Sequence, residues 1–175
     1  MLIYILDGIR ETVTVLETVA ADRYTLPPMV IYKGKAYYKG WHTSLEGEDG
    51  GTVFAISDKG WTNQVLGLEY LQQCFEPSTW FRCGPGEYRL LIVDGHNSHF
   101  SWDFQWFYLQ HNIVLFCIPP HTTHIVQPLD VGLFSPLQHY YSKEVDKCTR
   151  LGTGAIRKGN FMRYVLISTS ILCLR

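Results

Sequence analysis

The chain has 175 residues and a mass of 20.2 kDa, the size of about one domain. With 46 % hydrophobic and 18 % charged residues it holds enough apolar surface to offset the entropy of ordering, which excludes an intrinsically disordered chain. The net charge is −1, but residues 143–175 hold seven basic and two acidic side chains, so that segment is +5 and residues 1–142 are −6.

The opening MLIYILDGIRE has neither a basic start nor a long apolar stretch, so it does not read as a secretory signal. Leu2 to Leu6 is an apolar run that ends at the turn-forming pair Asp7-Gly8. Thr12 to Leu16 alternates and is β-branched, and Met29 to Tyr32 follows the stiff pair Pro27-Pro28; both predict strands. Glu46 to Gly51 is acidic and glycine-rich, hence a loop, and Thr52 to Ile56 is the next strand. Thr62 or Asn63 is placed to cap a helix that turns Val65, Leu66, Leu71 and Phe75 to the core. After the breaker Cys83 to Gly86, Leu90 to Val93 is a continuous apolar run, as expected of a strand covered on both faces. Ser101 is placed to cap a helix to Gln110 with Trp102, Trp106 and Leu109 on one side. Ile113 to Ile118 predicts a second buried strand, closed by Pro119-Pro120.

Pro128 suits the first turn of a further helix with Leu129, Leu133 and Leu137 as its inner stripe. Gly132 and Pro136 predict a bent or delayed start. No stretch approaches the ~20 apolar residues that span a bilayer. The last candidate, Val165 to Leu174, is broken by Ser168, Thr169 and Ser170, so no membrane partner is expected. Five scattered cysteines without a Cys-x-x-Cys pair read as reduced thiols of an intracellular protein.

Strand, helix, strand, helix between residues 90 and 140 is a βαβ unit, which requires parallel strands. Asp94 follows the first of these strands, and Asp130 lies in the first turn after the second, 36 residues on. One trip through a helix and back brings both to the carboxyl edge of the sheet, where α/β folds place their sites. Gly95 lets a ligand approach the backbone, and the helix dipole favours the ionised form of Asp130. Hard oxygen ligands of this kind suit Mg²⁺ or Mn²⁺ with substrate phosphates; the plain alternative is that the two carboxylates cap a loop and a helix. The basic segment that contains Lys143 and Lys147 suits a polyanion, or is simply a solvated helix face. His96, His99, His121 and His124 form two His-x-x-His pairs. A four-histidine structural zinc site is one reading of them. Ordering the loops or bonding to phosphate is the other.

Three segments together carry a resemblance: Leu90-Leu91-Ile92-Val93-Asp94-Gly95-His96-Asn97-Ser98-His99, Pro119-Pro120-His121-Thr122-Thr123-His124, and Gln127-Pro128-Leu129-Asp130-Val131-Gly132-Leu133-Phe134. In this order they resemble the DDE superfamily endonuclease domain of pogo-like transposases and centromere-protein-B-like proteins. Val13 to Leu16, Ala21-Asp22, Pro27 to Lys35 and Ser57 to Thr62 fit the same pattern, so the resemblance covers roughly residues 10–163. It implies a ribonuclease-H-like α/β fold, a mixed sheet flanked by helices, with residues 164–175 a divergent apolar tail. It further implies a nuclear protein that binds DNA and, in its intact form, cleaves or transfers phosphodiester strands with Mg²⁺ or Mn²⁺. Asp94 matches the second acidic residue, which bridges two ions, and Asp130 the third. His96, Asn97, His99, His121, His124, Lys143 and Lys147 are the expected nucleic-acid contacts.

The first acidic residue of that pattern stands in an Asp-Glu-Thr-Gly-like motif on a strand ahead of Val13, and no such motif occurs here. The expectation is therefore a fold lacking its first strand, truncated at both ends relative to the family. Asp7 is the one candidate substitute, although its surroundings differ from the motif. A domesticated or degenerate DNA-binding remnant without catalysis is the alternative. A bared sheet edge, which favours association, is a further expectation.

Overall fold

The computed structural model describes residues 2–6, 11–36, 51–93, 101–119, 135–152 and 161. The chain forms two compact units, Met1–Trp61 with Gly132–Arg175, and Thr62–Val131. Together they make a mixed α/β protein.

In the first unit, strands β1 (Leu2–Leu6), β2 (Glu11–Leu16), β3 (Met29–Lys33) and β4 (Val53–Ser57) form one sheet in chain order. β1–β2 and β2–β3 pair antiparallel, and β3–β4 pair parallel, so the sheet is mixed. All these strands follow the apolar runs read from the sequence. β1 is aligned from Leu2 opposite Val15 to Leu6 opposite Glu11. Leu2–Leu6, read from the sequence as an apolar run, thus forms the outer strand of this sheet beside β2.

Val13, Thr14 and Val15 on β2 and Met29 to Tyr32 on β3 are fully buried. Both faces of these central strands are therefore covered, which their unbroken β-branched and aromatic content suits. Thr14 is the polar exception. Its Oγ1 donates to the Gly60 carbonyl at 2.7 Å and so ties β2 to the turn after β4. That turn closes with Gly60 N–H on the Ser57 carbonyl at 3.1 Å, and Ser57 Oγ donates to the Trp61 carbonyl at 2.8 Å. Gly60 adopts φ +75°, and a Cβ there would lie 2.6 Å from the Thr12 carbonyl oxygen. Only glycine meets both demands.

The same unit contains the long helix Ser135–Arg150, here α4. Pro128, Leu129, Gly132 and Leu133, on which the expected start and inner stripe of this helix rest, lie outside the described residues. Tyr141 is buried edge-on against Phe161, with ring centroids 5.9 Å apart.

The second unit opens with helix α1 (Gln64–Tyr70), capped by Asn63, whose Oδ1 accepts from Leu66 N–H at 2.9 Å. A π-helical turn (Leu71–Phe75) and the short α2 (Glu76–Thr79) continue it, and Trp80–Arg82 close it as a 3₁₀ turn. Leu66, Leu71 and Phe75 face the core as expected, joined by Tyr70 and Cys74. Val65 does not. It is exposed, because the buried stripe runs through 66, 70, 71, 74 and 75 and leaves its neighbour about 100° round the helix. Gly67 allows the Phe104 ring to come so close that a Cβ would sit 2.8 Å from Cζ.

Strand β5 (Arg89–Val93), helix α3 (Trp102–Gln110) and strand β6 (Ile113–Cys117) form the anticipated βαβ unit with parallel strands. Among the described residues this pair is a separate two-stranded sheet rather than an extension of the first. One expectation is corrected here. Leu90 and Ile92 are 62 % and 49 % exposed, and Val114 and Phe116 beside them are also exposed, so the apolar run is not covered on both faces. Only the alternate positions Leu91 and Ile113 are buried. Trp102, Trp106 and Leu109 share one side of α3, as expected, and that side is exposed, whereas Phe104, Phe107 and Tyr108, at helical spacing, face inward. Ser101 stands at the N-cap with extended backbone but makes no side-chain capping bond; its carbonyl accepts from Gln105 N–H at 3.2 Å.

Candidate metal and nucleic-acid site

β5 and β6 run side by side in register from Arg89 opposite Ile113 to Val93 opposite Cys117. The ladder continues one step past the strands, where Ile118 N–H donates to the Val93 carbonyl at 2.9 Å. Both strands therefore deliver the chain to the same edge at the same level. Asp94 is the next residue after Val93. It lies outside the described residues, as do Asp7, His96, Asn97, His99, His121, His124 and Asp130. Among the described residues no group of three or more His, Cys, Asp or Glu side chains is placed to hold a metal.

The opposite end of the strand pair is locked by polar contacts. Arg89, at the start of β5, sets Nη1 2.7 Å from Glu76 Oε2 of α2, and that nitrogen also donates to Thr79 Oγ1 at 2.9 Å. Nη2 donates to the His111 carbonyl, and the guanidinium lies 5.8 Å from the centre of the Phe75 ring. His111 Nδ1 is 3.1 Å from Glu76 Oε1, and its ring stacks on Phe107 at 4.1 Å. Arg89 N–H donates to the Asn112 carbonyl at 2.9 Å, where Asn112 turns the chain at φ 52°. One guanidinium thus joins α2, β5 and the turn from α3 into β6. It fixes how β6 starts beside β5, and so the register carried to the Asp94 end.

Burial acts on two ionisable side chains of this unit, Cys74 and Tyr108. Burial pushes the Cys74 thiol up to about 12, with the Glu69 charge adding to it. Burial likewise pushes the Tyr108 hydroxyl up, helped by nearby Cys117. Both stay protonated at neutral pH and serve as packing groups rather than as nucleophiles or metal ligands. A shallow groove beside α1 is lined by Gln64, Glu69, Gln72, Gln73, Ser101 and Asp103 among others. It offers carboxylates and no cation, so nothing there attracts phosphate.

Lys143 and Lys147 are described. They lie one helical turn apart on α4 and are exposed; Lys147 Nζ approaches Glu144 Oε2 at 3.7 Å. Two residues not singled out as contacts from the sequence share their side. His139, one turn before Lys143, and Arg150, two turns after it, are both exposed. The i, i+4 spacing from 139 to 147 was the available signal.

A DDE superfamily endonuclease family model matches residues 9–167, nearly the whole chain, so the chain belongs to that family. The family implies dependence on a divalent metal ion and suggests DNA as partner. Among curated proteins the chain is similar to "MFS-type transporter clz9" of Cochliobolus lunatus, 35 % identical over 137 residues. That match takes in 78 % of this chain and 14 % of the other, so the chain spans about a seventh of that relative's length. No solved structure matches. No described helix is long and apolar enough to cross a membrane.

Proposed function

We propose that this chain is a transposase-derived DDE domain with a ribonuclease-H-like fold over residues 1–163. It binds DNA in the nucleus and, in its intact form, cleaves or transfers phosphodiester strands with Mg²⁺ or Mn²⁺. The observation that carries this reading is the in-register parallel pair β5–β6. Its ladder ends at Val93 and Ile118, immediately before the segments of the sequence that hold Asp94 and lead to Asp130. Asp94 and Asp130 would hold the ion, which supplies charge neutralisation at phosphorus and an activated nucleophile. Their donor chemistry fits: carboxylate oxygens are the hard ligands that Mg²⁺ and Mn²⁺ prefer. The rest falls to the chain: β5 and β6 set the spacing of the two acidic segments, and His96, Asn97, His99, His121 and His124 orient the phosphates. Asp7, which follows β1, is the candidate for the first acidic position.

The transporter name of the Cochliobolus lunatus relative is not carried over. The shared segment is a small part of that protein, and the family matched along the segment is an endonuclease family. The test is nicking of supercoiled DNA by the purified chain with Mg²⁺ or Mn²⁺, against Asp94→Asn and Asp130→Asn. Nicking by the wild type that both substitutions abolish supports the reading. A folded wild type that leaves DNA intact while still binding it makes the chain a non-catalytic remnant.

A further inference from the structure

We infer that α4 is a phosphate rail, a helix whose exposed side lies along the backbone of duplex DNA through Lys143, Lys147 and Arg150. The inference rests on the proposed DNA-binding role but not on catalysis. Taken at 100° per residue, His139, Lys143, Lys147 and Arg150 fall within one 80° sector of the helix, and all four are exposed. The opposite sector holds Tyr141, Glu144, Val145 and Cys148, which are buried or half-buried.

This division decides what the helix can bind. A basic amphipathic helix can also enter a membrane surface or a hydrophobic groove, but each needs a free apolar face. Here Tyr141 is 8 % exposed and packs on the fully buried Phe161, so that face is already engaged within the chain. The exposed side is led by three cations, and its two rings, His139 and half-buried Tyr140, stand edge-on to each other with centroids 6.3 Å apart, which favours contact with phosphates of a duplex over stacking on single strands. The rise from Lys143 to Arg150 is about 10 Å, roughly three steps of one DNA strand at about 3.4 Å each. The cations also belong at this end of the helix, where Lys147 and Arg150 occupy the last turn and complement its dipole. Two carboxylates temper the rail. Glu144 approaches Lys147 at 3.7 Å, and exposed Asp146 stands on the same side as the cations. Asp146 therefore repels the phosphate that Lys143 and Arg150 attract.

The experiment is fluorescence anisotropy of a labelled 30-base-pair duplex, titrated at several salt concentrations in EDTA so that no cleavage occurs. Each phosphate contact contributes about 0.9 to the slope of log K against log salt. The triple variant Lys143→Gln, Lys147→Gln, Arg150→Gln is expected to lose about 2–3 from that slope. The charge-conserving set Lys143→Arg, Lys147→Arg, Arg150→Lys keeps it. Asp146→Asn binds more tightly than the wild type. Circular dichroism checks that the helix persists, and Arg150→Gln alone, expected to lose about 0.9, replaces the triple variant if that does not fold. A slope unchanged in the folded glutamine variants overturns the rail even if nicking succeeds. A reduced slope without nicking keeps the rail and removes catalysis.

Discussion

Replacing Arg89 by Met tests whether one side chain holds the βαβ unit together. The methylene stem is kept, and the guanidinium goes. Arg89 and Glu76 are only 10 % and 21 % exposed, so the lost partner leaves a carboxylate largely shielded from water, with His111 Nδ1 at 3.1 Å beside it. Thr79 Oγ1 and the His111 carbonyl lose a donor at the same time. Breaking a fully buried pair costs about 3–5 kcal/mol, and the partial exposure of Glu76 brings the expectation to about 3 kcal/mol. That is a large part of the roughly 5–15 kcal/mol that holds a domain together. In a chain of this size it lowers Tm by roughly 6–12 °C. Thermal unfolding followed by circular dichroism reads the shift directly. The double variant Arg89→Met, Glu76→Leu should recover part of it, because no unpaired carboxylate then remains. A drop of less than about 2 °C for Arg89→Met would refute the reasoning, since it would place the guanidinium in solvent rather than in a shared polar junction.

Gly60→Ala forces a Cβ against the Thr12 carbonyl at a positive φ, so it should cost about 2 kcal/mol or more, read as a fall in the urea midpoint. Thr14→Val leaves the Gly60 carbonyl without its 2.7 Å donor and should cost about 1–2 kcal/mol by the same measurement. The Cys74 thiol, held at about 12 against an ordinary 9.0, keeps its proton in the fold where the unfolded chain sheds it. Stability should therefore hold up to about pH 9 and fall from there towards pH 12, and Cys74→Ala should flatten that decline in urea midpoints taken across the range. The same burial predicts that Cys74 resists a thiol reagent at pH 8 until urea unfolds the chain.

Period-two and continuous apolar patterns located all the strands described here, from Leu2–Leu6 to Ile113–Cys117, because short β-branched and apolar runs bounded by turn residues favour extended backbone. The helical pattern was read less well for a physical reason. In α1 the sequence offers Val65 and Leu66 side by side, and in α3 it offers two overlapping stripes, Trp102-Trp106-Leu109 and Phe104-Phe107-Tyr108. Local composition does not say which stripe faces the core. That choice is made by Gly67, which opens the gap that Phe104 fills. Leu90, Ile92, Val114 and Phe116 look like a doubly covered strand pair, since apolar content records what a face can tolerate and not what lies over it. The Arg89 junction was illegible because its partners stand 10, 13 and 22 residues away and meet only in three dimensions. The acidic and histidine positions rest on motif order and spacing and lie outside the described residues; the part of that reading found in the structure is the parallel pair β5–β6.

The central claim is that Asp94 and Asp130 share a divalent ion. Calorimetric titration of Mn²⁺ into the wild type, Asp94→Asn, Asp130→Asn and the double variant measures it without any need for turnover. Each single substitution should weaken binding roughly tenfold or more, and the double variant should lose far less than the two losses combined, as expected of ligands to one ion. Wild-type Mn²⁺ affinity in Asp130→Asn, or losses that simply add, would show that the two carboxylates do not meet at one ion.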